Sequence, residues 1–102
     1  MSGISDWPFR SLAARFGASL VVSEMVASDR LIAAEETTRL KLEGRGITPH
    51  AVQLAGCRGD ALAEAARIAE AAGADIIDIN MGCPAKRVVG GWAGSALMQD
   101  PA

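Results

Sequence analysis

The sequence has 102 residues, half of them hydrophobic and 22% charged, with a formal net charge of -2. That composition excludes disordered, collagen-like and low-complexity chains, and the length allows one small domain with a modest core. Ten Lys and Arg against twelve Asp and Glu leave no basic excess, so charge alone predicts no nucleic-acid partner.

The first predicted element is a short helix. Ser5 or Asp6 caps it, Pro8 fits its first turn, Leu12, Ala13 and Phe16 give it an apolar face, and Gly17 ends it. Ser19–Val26 is a β-branched, nearly continuous apolar run, the pattern of a buried strand. Ser28 caps a second helix predicted to reach about Glu43, although its apolar residues form no clean stripe. Gly44, Gly46 and Pro49 break the chain, and His50–Gly56 is the second strand. Asp60 caps the clearest helix, Ala61–Ala72, with Ala61, Ala65, Ile68 and Ala72 at helical spacing and Gly73 ending it. Asp75–Gly82 is the third strand, followed by a Gly-rich loop from Cys83 to about Gly94 and a helical piece near Ser95–Gln99.

Helices alternating with apolar strands predict an α/β fold with parallel strands. Two architectures use that order, an open doubly wound sheet and a (β/α)8 barrel. No strand is followed by G-x-G-x-x-G, which weighs against a dinucleotide-binding sheet. A barrel needs ~200 residues or more, so this chain supplies about three of eight strands.

The longest apolar runs are far short of the ~20 residues that span a bilayer, and no charged-then-apolar leader is present, so no membrane association is expected. Cys57 and Cys83 read as free thiols in a reducing, cytoplasmic compartment. With His50 they lack the close spacing of metal ligands, and no metal is expected.

In parallel α/β folds the chemistry gathers at the carboxyl ends of the strands. Alternation puts Asp78 and Asn80 on one face of the third strand and Ile77, Ile79 and Met81 on the other. Gln53, with Ala51 and Ala55, opposes Val52 and Leu54. Gln53, Asp78 and Asn80 then point into the barrel, where they are either satisfied core groups or partners for a planar polar heterocycle. Cys83, between Gly82 and Pro84, is either an inert buried thiol or a proton donor, since a free thiol of pKa ~8.5 is mostly protonated near neutral pH. Cys57 lacks a polar cluster and fits the inert reading. The segment Gly90–Ser95 is either a phosphate cradle or a flexible loop carrying Cys83, and Lys86 and Arg87 are either phosphate contacts or solvated charges.

Five motifs occur in order: Met1-Ser2-Gly3-Ile4-Ser5-Asp6-x-Pro8-Phe9-Arg10, Val22-x-Glu24-Met25, Val52-Gln53-Leu54-Ala55-Gly56, Asp78-Ile79-Asn80-Met81-Gly82-Cys83-Pro84-Ala85-Lys86, and Gly94-Ser95-Ala96-Leu97-Met98. Together they resemble the tRNA-dihydrouridine synthase family, especially its bacterial B-type branch, over essentially the whole chain. The resemblance implies an FMN-dependent (β/α)8 barrel followed by a small helical domain. Such enzymes reduce the C5=C6 bond of uridine in tRNA, with NADPH reloading the flavin. It implies that Cys83 is the general acid that protonates C5 opposite the hydride from reduced FMN. Gln53 matches a residue that hydrogen-bonds the isoalloxazine ring, and Asn80 one near the ring and the uracil. Met1 and Ser2 match the end of a segment that lies along the flavin, and Lys86 falls with Asn80 on the substrate side.

Against the family pattern, the first strand and everything past the fourth strand's helix are missing. Residues 1–102 are therefore expected to be an N-terminal part of the catalytic barrel, about strands two to four. The barrel's remainder and the tRNA-binding helical domain are expected to lie outside it, and the fragment alone is expected to be inactive. A dihydroorotate or dihydropyrimidine dehydrogenase-like flavoenzyme also places Asn near Cys-Pro after a barrel strand. Gly82 and the match over Ala85–Met98 favour the tRNA enzyme. The sequence does not give an oligomeric state.

Overall fold

Val52 and Leu54 on one strand, and the alanines of one helix, make the centre of the molecule. The computed structural model describes residues 2–100. In chain order these form helix α1 (Trp7–Arg15), strands β1 (Val21–Val22) and β2 (Val26–Ala27), helices α2 (Ser28–Ile32) and α3 (Glu36–Leu40), strand β3 (His50–Ala55), helix α4 (Gly59–Ala71), strand β4 (Ile76–Ile79), helix α5 (Lys86–Val89) and a 3-10 helix at Gly94–Gln99.

All strand pairings are parallel. Ala51 pairs with both Val22 and Ile76, and Leu54 with both Val26 and Ile79, so β1 and β2 share one edge of β3 and β4 takes the other. β2, β3 and β4 thus lie side by side in chain order, joined by helical crossovers. This is the expected α/β class, as an open arc of a (β/α)8 barrel that does not close within this chain.

The predicted strand over Ser19–Val26 is interrupted. From Val22 to Val26 the first strand advances four residues while β3 advances three, Ala51 to Leu54, which defines a β-bulge. Ser23 supports it. Its N–H donates to the Ala51 carbonyl at 2.9 Å, and its buried hydroxyl accepts the Gln53 N–H at 3.0 Å and donates to the Glu24 carbonyl at 2.7 Å. A side-chain oxygen therefore stands in for a strand carbonyl.

The single helix expected from Ser28 to about Glu43 is two short ones. Ala34 adopts φ 58 between them, Ala27 rather than Ser28 holds the N-cap position, and Ser28 is buried as the first helical residue. The poor apolar stripe reflects this break.

Helix α1 begins as expected. Asp6 accepts the Phe9 N–H at 3.0 Å, and Gly17 follows the C-cap at φ 97. Its burial is inverted, however: Phe9, Leu12 and Phe16 are exposed, whereas Arg10 is only 2% exposed. Arg10 Nε donates to the Ser5 carbonyl at 3.0 Å and Nη2 to the Glu43 carbonyl at 2.9 Å. Burial lowers the Arg10 pKa, and Glu24, Asp6 and Glu43 oppose that shift. The guanidinium ties α1 to the segment that follows α3.

The core joins Val26, Val52 and Leu54 to Ala65 and Ala69 of α4, with Leu31 and Leu42 filling between. Small residues at this helical spacing let α4 lie close on the sheet. The expected stripe is shifted, with Ala69 buried and Ala72 exposed. Asp60 lies in the first turn, not at the cap, which is Arg58. Its carboxylate accepts the Ala61 N–H at 2.8 Å and pairs with Arg58, which lowers its pKa. His50 is a packing residue: its Nε2 lies 2.9 Å from the Leu42 carbonyl, and its N–H donates to Asp75 Oδ2 at 2.8 Å.

Leu54→Ala is expected to cost about 2–5 kcal/mol in urea unfolding, because it opens a cavity under α4. Leu40→Ala, at a 68% exposed position, is expected to stay within about 0.5 kcal/mol.

Candidate functional site

Strands β3 and β4 pair in register, Val52 with Ile77 and Gln53 with Asp78. Val52 and Ile77 turn toward α4, so Gln53 and Asp78 turn to the opposite face. There they join a polar row. Gln53 Nε2 donates to Asp78 Oδ2 at 2.5 Å, and Asn80 Nδ2 donates to Gln53 Oε1 at 3.0 Å. The Cys83 N–H donates to Asn80 Oδ1 at 3.1 Å. The four residues are half-buried, and the row runs from the end of β4 into the loop that carries the thiol.

The row has one polarity. A backbone N–H only donates and a carboxylate only accepts, so both amides between them have fixed orientations. Each amide retains one N–H, and Gln53 Oε1 retains a lone pair, for a planar partner above the row. Asp78 is the terminal acceptor and acts by orienting Gln53. That role was readable from the spacing of Asp78 and Asn80 but needed the β3–β4 register to be assigned.

Cys83 is held from both sides. Besides its N–H bond to Asn80, its carbonyl accepts the Ser95 N–H at 3.0 Å. Gly94 sits at φ 61, so close that a Cβ there would lie 2.5 Å from the Cys83 carbonyl oxygen and 2.8 Å from Val88 Cγ1. The amides of Gly90, Gly91, Trp92, Ala93 and Ser95 all donate to backbone carbonyls, so they are not free to cradle a phosphate. Sequence spacing alone did not expose Gly94 as a supporting residue.

The other predicted site residues are placed apart from this row. Lys86 is exposed at the start of α5, a four-residue helix where only a loop was expected. Ser2 lines a separate cavity at the strand ends that Gln53, Asn80 and Cys83 do not line. Met1 lies outside the described residues. Glu24 accepts the Gly3 N–H and so ties the segment after Ser2 to the bulge. Cys57, expected to be buried and inert, is exposed at the rim of the same cavity. Both cysteines are free thiols. Among the described residues, no group of three His, Cys, Asp or Glu is arranged to hold a metal ion. Among the described residues, no helix is long and apolar enough to cross a membrane.

These features define a partial (β/α)8 barrel with an amide row and a clamped thiol at the carboxyl ends of its strands. The family model described as dihydrouridine synthase (Dus) matches residues 1–102. A probable tRNA-dihydrouridine synthase of Rhizobium leguminosarum bv. phaseoli is 63% identical over 103 residues, covering 99% of this chain and 32% of that protein. A probable tRNA-dihydrouridine synthase of Rhodobacter capsulatus is 55% identical over 104 residues, covering 99% of this chain and 32% of that protein. The tRNA-dihydrouridine synthase B of Xanthomonas campestris pv. campestris is 50% identical over 101 residues, covering 98% of this chain and 30% of that protein. The chain belongs to the dihydrouridine synthase family, and it spans about a third of the length of these relatives.

Gly94→Ala is expected to push the Cys83 loop off Ser95 and cost about 1–3 kcal/mol. In a Cys57→Ser background, the rate of maleimide labelling at Cys83 is expected to rise. An unchanged rate and stability would show that the loop absorbs the extra methyl.

Proposed function

We propose that the protein containing this chain is an FMN-dependent oxidoreductase that reduces the C5=C6 bond of uridine in tRNA to 5,6-dihydrouridine, with NADPH as electron donor. The observation that carries this reading is the one-way row from Cys83 through Asn80 and Gln53 to Asp78. It supplies donors and acceptors of fixed orientation beside a cysteine whose backbone is held at both its N–H and its carbonyl. Family membership and the printed names of the relatives support the same reading.

The donor set fits a flavin, because Gln53 keeps an N–H and a lone pair for the edge of a planar ring. Gln53 would hold that edge. A bound flavin supplies the hydride that goes to C6 of the uracil. The remaining steps fall to this chain. The target uridine leaves its stack to enter the site, and Asn80 orients the base. Cys83, its backbone held by Asn80 and Ser95, delivers its thiol proton to C5 and is reprotonated by solvent. Hydride at C6 and proton at C5 together complete the reduction. Lys86, exposed beside the thiol loop, is on the substrate side.

Residues 1–102 make an N-terminal part of the FMN-binding barrel in this proposal. The rest of the barrel and a helical tRNA-binding domain are supplied by the remaining length seen in the relatives. The protein acts in the cytoplasm, where its substrate is, and uses no metal. The free-pyrimidine dehydrogenases are the lesser reading, since the relatives' names point to tRNA.

In the full-length protein, Cys83→Ala is expected to keep its flavin absorbance and lose dihydrouridine formation by at least ~100-fold. Unchanged turnover on tRNA would remove Cys83 as the proton donor. Residues 1–102 expressed alone are expected to purify colourless, since Ile76 and Ile79 of β4 are exposed and the sheet is open. A stoichiometrically yellow, active fragment would show that the arc suffices.

A further inference from the structure

The net charge of -2 hides a local concentration of cations. A cavity of about 490 Å3 opens where β2 and β3 end, floored by Ala27, Ala55 and Gly56. Arg30, Lys41 and Arg87 border it, against one carboxylate, Asp29. The three cations come from α2, the end of α3 and α5, so only the fold brings them together.

Each cation is placed for use. Lys41 Nζ donates to the Met25 carbonyl at 3.3 Å, which holds the ammonium above the strand end. Arg30 pairs with Glu35 only at 3.8 Å and in solvent, a contact worth little. Arg87 is exposed on α5, four residues past Cys83. Gly56 lets Ser28 pack against the floor, because a Cβ there would lie 2.3 Å from the Ser28 hydroxyl.

The cavity adjoins the thiol without sharing its lining. Val88 borders the cavity, and its Cγ1 lies 2.8 Å from where a Gly94 Cβ would sit, a point 3.3 Å from Cys83 Cβ. One side-chain layer separates the two spaces. A ligand here is thus not the heterocycle held by Gln53 and Asn80. The volume lies in the range of small-molecule sites. The cationic rim and the apolar patch from Met25, Val88 and Ala93 suit a group with an anionic part and a flat part.

We propose that this cavity holds the nucleotide adjoining the target uridine, with its phosphodiester on Arg87 and Lys41 and Arg30 at the rim. The inference rests on the proposed reduction of uridine in RNA. A uridine drawn out of its stack to Cys83 brings its neighbouring phosphate along the same loop, and the cations meet it there.

The test uses the full-length flavin-loaded protein with Arg87→Gln, Lys41→Gln and Arg87→Lys variants. Binding of unmodified tRNA is followed by fluorescence anisotropy across a KCl series, with flavin absorbance as the check on folding. Each Gln variant is expected to bind tRNA more weakly and to lower the slope of log K against log salt by about 1, and Arg87→Lys to restore the slope. Wild-type slopes in both Gln variants of a protein that makes dihydrouridine would overturn the cavity assignment alone. A wild-type protein that makes no dihydrouridine from tRNA and NADPH would overturn the functional reading beneath it.

Discussion

A carboxylate at one end and a backbone N–H at the other set the arrangement of everything between them. Asp78 can only accept, and the Cys83 amide can only donate. The amides of Gln53 and Asn80 therefore have a single consistent orientation, from the 3.1 Å bond at Cys83 to the 2.5 Å bond at Asp78. Hydrogen bonds aligned in this way polarise one another. The orientation of each amide in the row is thus set by its two ends.

That row depends on strand register, and register depends on the core. Val52, Leu54 and Ile77 must face α4, and Ala65 and Ala69 give them a close surface. A one-residue slip of β4 would take Ile77 out of the core and Asp78 away from Gln53 together. Burial on one face thus specifies chemistry on the other. Arg10 adds a longer tie, binding α1 to the carbonyl of Glu43 below the strands.

Much of this was readable from residue order. The period of two through Gln53, Asp78 and Asn80 gave the polar face, and the spacing of Ala61 and Ala65 gave α4. Cys83 stood out between Gly82 and Pro84, and the motif around it carried the family. What stayed hidden depends on contacts between distant residues. The Ser23 hydroxyl breaks a strand by reaching Gln53, thirty positions on. Ala34 at φ 58 divides a stretch whose composition is helical throughout. Leu12 and Phe16 read as a core face but are exposed, while a charged neighbour, Arg10, is buried by backbone carbonyls that no local pattern shows. Gly94 looks like loop punctuation until the Cys83 carbonyl is seen against it.

The bulge at Ser23 has a consequence for chain length. Val22 is level with Ala51, on the same face as Gln53, whereas Val26 is level with Leu54, on the core face. In a regular strand, residues four apart point the same way, so the extra residue inverts the phase of the strand halfway along. Exchanging residue types cannot reproduce that inversion, because it is a matter of count. Without the bulge, a regular ladder from Val22 would set Val26 level with Ala55 and turn it out of the core. The length of this segment, and not only its composition, is part of the information that folds the sheet.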